Sequence, residues 1–253
     1  MKSVEELYSL KGKLALITGG SRGLGREMAL AFAKAGADII IVSRKLDSCE
    51  EVAKEVEALG RKAYPYACHL GRWDQINDLV EEIDKRFEEI DILVNNAGMS
   101  PLYESLTDVN EKMWDSVISL NLKGPFRLSA LIGERMSERN GGSIINVSSI
   151  AAVRPSTNEV PYAAAKAGLN ILTVGLAASY GPKVRVNCIM PGPFMTDISK
   201  AWDDNMMARF KKDAFLERAG EPHEIIGAAL YLASDASSYT TASVMSVDGG
   251  FLL

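Results

Sequence analysis

The reading turns on "KLALITGGSRGLGREMALAFAKAGADIIIVSR", residues 13–44. Its opening, "KLALITGG" (13–20), is a short apolar run that ends in glycine and reads as a strand. "REMALAFAKAGA" (26–37) has the helical period, and "DIIIVSR" (38–44) is a second apolar run. Strands that are apolar on both faces belong in a parallel sheet covered by helices on each side. Between the first strand and the helix lies "TGGSRGLG" (18–25), with Gly19, Gly23 and Gly25 spaced G-x3-G-x-G. Glycine permits a tight turn, and the amides at the N-terminus of the next helix can face a pyrophosphate. That strand–turn–helix context makes the stretch a dinucleotide-binding candidate.

Which dinucleotide follows from the end of the second strand. A site for NAD usually places a carboxylate there to hold the ribose 2′-hydroxyl. This chain has Ser43 and Arg44 instead, and Arg22 sits within the glycine turn. Two guanidinium groups suit a 2′-phosphate, so the sequence points to NADP (NADPH) rather than NAD. The competing reading makes both arginines solvated surface residues.

The alternation continues along the chain. Helical segments at 47–60, 75–90, 111–138 and 221–234, and a helix around Tyr162, separate apolar runs at 62–70, 91–98, 142–149, 183–192 and 243–250. About seven strands with crossover helices make an α/β, doubly wound parallel sheet of the Rossmann type, with helices on both faces. No linker, repeat or low-complexity tract interrupts it, so a single domain over residues 1–253 is expected.

Composition narrows the class. The chain is 47% hydrophobic and 24% charged, with a formal net charge of -5, which does not resemble a nucleic-acid-binding footprint. Cys49, Cys68 and Cys188 lie far apart and suit a reducing compartment. The charged N-terminus lacks a signal-peptide core, and no run reaches the ~18 apolar residues of a membrane span, so a cytoplasmic address is expected. His69 and His223 are the only histidines and have no ligand spacing, so no metal site is expected.

Tyr162 and Lys166, in "YAAAK" (162–166), stand four residues apart and so share a helix face. Free side chains of these types titrate near ~10 and ~10.4. An ammonium beside a phenol favours the phenolate, so Lys166 is expected to lower the tyrosine's pKa toward neutral pH. Taken alone, the pair also fits a packed tyrosine and a surface lysine.

With "NNAG" (95–98), Asn121 in "SLNLKG", "INVSSI" (145–150), "PG" (191–192) and "VDGG" (247–250) in this order, the chain resembles the short-chain dehydrogenase/reductase family over nearly its whole length. The resemblance implies an oxidoreductase that passes hydride between a nicotinamide and a carbonyl or secondary alcohol. Its substrates would be 3-oxoacyl thioesters, ketones or keto-sugar acids. Tyr162 matches the family's general acid, and Lys166 the lysine that tunes it and holds the nicotinamide ribose. The family's serine lies thirteen residues before the tyrosine, which selects Ser149 over Ser148. Asn121 matches the asparagine that supports a water on the proton route. Gly19, Ser21, Gly23, Leu24 and Gly25 correspond to the phosphate-binding turn. Asn95, Ala97 and Gly98 resemble the strand end beside the adenosine ribose, and Pro191, Gly192 and Thr196 the segment that holds the nicotinamide carboxamide. "VDGG" is expected to be structural. Family members commonly carry Asp after the third strand, near the adenine amino group. Here His69 stands there, followed by Leu70, and the free ring nitrogen depends on the tautomer. The resemblance also implies a homotetramer packed through the helices around 111–138 and 162–180.

Ligands bind beyond the carboxyl ends of such strands. Three loops should line that crevice: 99–106, 150–160 and a lid at about 194–215. The lid carries Phe194, Met195, Trp202, Met206, Met207 and Phe210, which suit an adaptable apolar cover. It reads equally as a helical flap packed clear of substrate. Arg154 could pair with an anionic substrate group or simply be solvated. A reading from another class is a dinucleotide-binding regulator without turnover, which needs no proton donor. The set Asn121, Ser149, Tyr162 and Lys166 argues against it.

Overall fold

The structure, a computed structural model, describes residues 2–197, 199, 202 and 204–251, with the side chains of Asp204, Met206 and Arg209 excepted. Seven parallel strands form one sheet: β1 (Leu14–Thr18), β2 (Asp38–Ser43), β3 (Ala63–Ala67), β4 (Ile92–Asn95), β5 (Gly142–Val147), β6 (Val184–Pro191) and β7 (Val244–Val247). Their order is β3-β2-β1-β4-β5-β6-β7. The chain runs outward from β1 to β3 and then crosses back to β4, so β1 and β4 flank the switch point where a doubly wound sheet opens a crevice.

The helices are α1 (Val4–Tyr8), α2 (Gly23–Lys34), α3 (Leu46–Ala58), α4 (Trp73–Asp84), α5 (Glu111–Ile118), α6 (Gly124–Glu138), α7 (Val160–Tyr180), α8 (Asp204–Asp213) and α9 (Ile226–Ala233). Strand alternation splits the core in two. Ile17, Ile39 and Ile41 pack with Met28 and Phe32 of α2, Val52 and Val56 of α3 and Leu232 of α9. Leu16, Ile40 and Leu93 pack on the other face with Ile76 and Ile83 of α4, Leu128 and Ile132 of α6 and Leu176 of α7. Each such aliphatic side chain stabilises the fold by roughly 1.5–3 kcal/mol on leaving water. Two covered faces make the sheet doubly wound, as its continuous apolar strands require.

The helical segment expected over 111–138 is divided. Between α5 and α6 the residues Ser119–Lys123 form a wide π turn, and the Gly124 N–H donates to the Ser119 carbonyl. Pro125 supplies the reason. It has no N–H for the carbonyl four residues back, and its ring would strike that carbonyl in a regular helix. The residue four back is Asn121. Gly124 is required by a close approach, since a Cβ there would stand 1.9 Å from the Leu70 carbonyl oxygen.

Candidate active site

The glycine turn is built to bring backbone close to a ligand. Gly19 has φ +63° and Gly23 φ +53°, both in the left-handed region. A Cβ on Gly25 would lie 2.3 Å from the Gly19 carbonyl oxygen, so no side chain fits. The N-terminus of α2 follows at once, with Arg22 as its cap residue and no side-chain cap. Its first N–H groups therefore lack the usual side-chain acceptor and face outward as donors for an anion. Ser21 Oγ donates to Ser43 Oγ at 3.0 Å, tying the turn to the end of β2. Arg22 and Arg44 are exposed, and neither forms an ion pair with another described residue. A Cβ on Gly23 would come within 3.7 Å of Thr196, which places the segment after β6 directly over the turn.

Tyr162 and Lys166 lie on the first turns of α7. The exposed start of that helix is held by Tyr103, whose hydroxyl oxygen accepts from the Val160 N–H at 2.7 Å. Lys166 is 3% exposed, its Nζ donates to the Val147 carbonyl at 2.7 Å, and it stands 5.7 Å from the centre of the Tyr162 ring. The two serines after β5 divide as strand alternation demands. Ser148 is buried, and its hydroxyl donates to the Lys166 carbonyl at 3.1 Å. Ser149 is half-buried at the crevice and caps the short turn Ile150–Ala152, its Oγ accepting from the Ala151 N–H at 3.1 Å.

Asn121 is fully buried in its π turn. Its Nδ2 donates to the carbonyls of Met99 and Val117, each at 2.9 Å, and its Oδ1 accepts from the Met99 N–H at 3.2 Å. Gly98 is the meeting point. A Cβ there would stand 2.8 Å from Asn121 Oδ1 and 3.6 Å from Lys166 Nζ. Four chain segments thus bring Gly98, Asn121, Ser149, Tyr162 and Lys166 to the carboxyl ends of β4 and β5.

The protonation pattern differs from the sequence expectation. Burial pushes the Tyr162 phenol up to about 12, with the Ser149 hydroxyl pulling it back through a hydrogen bond and the Glu159 carboxylate pushing it further up. The lysine does not produce the expected lowering, because its ammonium is aimed at the Val147 carbonyl rather than at the phenol oxygen. Burial also brings Lys166 down to about 8, opposed by the Cys188 thiolate form. Both shifts have one cause: each charged form is poorly solvated in this enclosure.

The remaining cofactor candidates divide. Ala97 and Gly98 line the open end of β4, and the Ala97 N–H donates to Thr18 Oγ1 at 3.1 Å. Asn95 turns the other way. It is 2% exposed, and its Nδ2 donates to Ser129 Oγ at 2.8 Å and Asn146 Oδ1 at 2.9 Å, so its side chain crosses the interior rather than facing a ribose. Asn96, which the motif reading passed over, is the residue that holds the turn. Its Nδ2 donates to the carbonyls of Thr18 at 3.0 Å and Gly19 at 3.3 Å. Period-two alternation along "NN" is the signal that separates the two, since neighbours on a strand face opposite sides. Leu70 is buried in the core beneath α4 and α6. His69 is half-buried beside β2, since the next residue back, Cys68, donates its N–H to the Ser43 carbonyl at 2.8 Å. The Gly71 N–H donates to His69 Nδ1 at 3.2 Å. The neutral ring then carries its proton on Nε2, which makes the free nitrogen a donor where an aspartate would accept. Pro191 is buried, and Gly192 backs onto Asp248, with a Cβ there standing 2.8 Å from the Asp248 Cα. "VDGG" thus supports the "PG" segment from behind.

The segment after β6 leaves and rejoins the sheet at a narrow neck. The Met195 N–H donates to the Gly220 carbonyl at 2.8 Å, and the Gly220 N–H to the Pro193 carbonyl at 2.9 Å. Phe194 is buried at that neck, while Trp202, Met207 and Phe210 are half-buried; the side chain of Met206 lies outside the described residues. Arg154 donates to the Phe251 carbonyl at 2.6 Å. Among the described residues there is no group of three or more His, Cys, Asp or Glu placed to hold a metal, and no helix long and apolar enough to cross a membrane.

This sheet, glycine turn and Ser–Tyr–Lys arrangement define an oxidoreductase fold with a nucleotide crevice. A family model described as enoyl-(acyl carrier protein) reductase matches residues 19–252, and the chain belongs to the short-chain dehydrogenase/reductase family. It is 36% identical to the 3-oxoacyl-acyl-carrier-protein reductase of Thermotoga maritima, over 96% of this chain and 99% of that protein. It is 39% identical to the 2-dehydro-3-deoxy-D-gluconate 5-dehydrogenase of Pseudoalteromonas atlantica, over 98% of each. The gluconate 5-dehydrogenase of Burkholderia cenocepacia, solved in complex with NADP and tartrate, superposes with a TM-score of 0.94 at 31% identity, covering 98% of each chain.

Proposed function

We propose that this chain is an NADP(H)-dependent oxidoreductase that interconverts a carbonyl and a secondary alcohol, with Tyr162 as general acid/base. The observation that carries the reading is the meeting of Asn121 Oδ1 and Lys166 Nζ at Gly98, with the Tyr162 ring centre 5.7 Å from that ammonium, at the carboxyl end of the sheet. A module that only bound a dinucleotide would not need a buried lysine beside a phenol. The residues present fit the cofactor: an uncapped helix N-terminus behind left-handed glycines accommodates a pyrophosphate, and two exposed arginines that pair with no carboxylate among the described residues suit a 2′-phosphate. Gly19, Ser21, Gly23 and Gly25 would hold the pyrophosphate, Arg22, Ser43 and Arg44 the adenosine side, and Pro191, Gly192 and Thr196 the nicotinamide side.

Bound there, the nicotinamide supplies or accepts hydride. Ser149, half-buried at the crevice, fixes the carbonyl oxygen of the substrate. Tyr162, neutral because burial holds its pKa up at about 12, gives its proton to that oxygen during reduction. Lys166 lies behind the phenol as a buried cation able to turn from the Val147 carbonyl toward ribose hydroxyls. Asn121 holds the Met99 backbone and so fixes the floor of the crevice. The substrate class is a 3-oxoacyl thioester, a ketone or a keto-sugar acid, the first and last supported by the names of the relatives, and residues 194–215 serve as the lid of a single domain. Exposed Trp114, Phe126, Ile171 and Val174 on α5, α6 and α7 fit a homotetramer.

The test is NADPH consumption by purified protein given an acetoacetyl thioester and then a panel of keto-sugar acids and ketones, with Tyr162→Phe as the blank. Turnover that the substitution abolishes is expected. NADPH binding with no turnover of any carbonyl would return the chain to the regulator reading.

A further inference from the structure

The last described residues hold the lid segment in place. At the neck of Pro193, Met195 and Gly220 the chain leaves the sheet and returns to it, and α8 belongs to this excursion. At its far side it meets the tail that follows β7. The Leu216 N–H donates to the Gly249 carbonyl at 3.0 Å. Gly249 and Gly250 have φ +65° and +81°, and a Cβ on Gly250 would stand 2.9 Å from Phe215, so the tail passes hard against the excursion. The buried Phe251 ring then packs edge-on to Phe210 of α8 at 6.0 Å, and Phe210 packs edge-on to Trp202 at 4.7 Å.

The same residue is gripped from the opposite side. Arg154 Nη1 donates to the Phe251 carbonyl at 2.6 Å, and its guanidinium lies 5.4 Å from the Phe251 ring centre. Arg154 ends the turn that Ser149 begins: its N–H donates to the Ile150 carbonyl at 2.9 Å, and Ser149 caps that turn. Phe251 is therefore clamped between α8 and the Ser149 turn, its ring on one and its carbonyl on the other.

We infer that Phe251 and Arg154 are positioning residues that latch α8 to the Ser149 turn, so that the C-terminal tail sets how tightly the crevice closes over substrate. The inference rests on the reading of 194–215 as the lid. A closed form populated only in part lowers apparent substrate affinity in proportion to the fraction closed, without changing the chemical step. Loss of the latch should raise KM and leave kcat nearly unchanged.

The experiment is hydrogen–deuterium exchange on the full chain, wild type against Arg154→Ala, Arg154→Lys and Phe251→Leu, paired with KM and kcat for whichever carbonyl the panel above identifies. Arg154 is exposed, so its variants test the latch without threatening the core. Arg154→Ala is expected to speed exchange in α8 and the 149–154 turn, leave β4 and β5 as in wild type, and raise KM roughly tenfold, the size of one charged hydrogen bond. Arg154→Lys, which still donates to the carbonyl, should recover most of both effects. Wild-type exchange in α8 for both Arg154→Ala and Phe251→Leu would overturn the latch, as would a fall in kcat with KM unchanged. Absence of turnover in wild type would instead refute the catalytic reading, while the exchange data would still decide the latch.

Discussion

Gly98→Ala tests whether the site is packed as tightly as its geometry states. The new Cβ would stand 2.8 Å from Asn121 Oδ1, well short of ordinary van der Waals contact, and 3.6 Å from Lys166 Nζ. Asn121 cannot retreat freely: it is 0% exposed and held by three hydrogen bonds, two to Met99 and one to Val117. Relief requires a shift of about half an ångström, with an overpacking cost of ~1–3 kcal/mol. Stretching one of those bonds adds up to about 1 kcal/mol. The expected loss is on the order of 2 kcal/mol in urea unfolding followed by circular dichroism. Misplacement by about 1 Å costs ~10²-fold in rate, so half of that should cost kcat about tenfold. Gly227→Ala is the matched control, since a Cβ there meets nothing within 4 Å on α9 and should stabilise by about 0.5–1 kcal/mol. If Gly98→Ala unfolded at the wild-type urea midpoint with full kcat, the convergence on Gly98 would be wrong.

Three further outcomes follow from the same geometry. Lys166, lowered by burial to about 8 against an ordinary 10.5, binds fewer protons folded than unfolded between those pH values, so it makes stability rise with pH there. Cys188, pushed up to about 11, and Tyr162, up to about 12, act in the opposite sense above pH ~9 and ~10 respectively, so the lysine is isolated by subtraction. Wild type minus Lys166→Met, followed by urea midpoints from pH 7 to 10.5, should show the rise; a flat difference would mean that Lys166 is not the buried cation described. Arg44→Asp should weaken NADPH binding about ten- to a hundredfold by calorimetry and spare NADH, whereas equal losses for both would remove Arg44 from the 2′-phosphate. Asn95→Leu should cost ~2–4 kcal/mol, because Asn146 Oδ1 and Ser129 lose a buried donor, and leave NADPH affinity unchanged; a large loss of that affinity would put Asn95 back at the ribose.

The fold was legible because its strands are apolar on both faces, and Ile39, Ile40 and Ile41 occupy the two cores in alternation as such a run must. The preference for Ser149 over Ser148 came from the resemblance alone, although the structure separates the two as alternation would, with Ser148 buried and Ser149 half-buried. Less legible was anything decided by contacts across the chain. The π turn at Asn121 has a local cause in Pro125, but helical periodicity does not register one extra residue per turn. Asn95 and Asn96 are chemically identical, and only the sheet's two sides separate their roles. The clamp on Phe251 joins residues 154, 210 and 251, which no local pattern connects.

The direction of the two large pKa shifts bears on how the site works. Read as an isolated helix face, the Tyr162–Lys166 pair should poise a phenolate, which is the form needed to take a proton from an alcohol. Within the protein the phenol is instead held neutral and the ammonium is turned to a backbone carbonyl. A neutral phenol is a proton donor, the form that carbonyl reduction requires. Lys166 commits one of its three N–H donors to the Val147 carbonyl and would stabilise a phenolate through its charge, so alcohol oxidation must first deprotonate a phenol that reduction uses as it stands. On the proposed reading, kcat/KM for reduction should therefore hold steady across neutral pH and fall only well above it. The oxidation profile should climb with pH over the same range. Steady-state rates in both directions between pH 6 and 10 measure this directly. An oxidation rate independent of pH while reduction falls through neutrality would reverse the assignment of the proton.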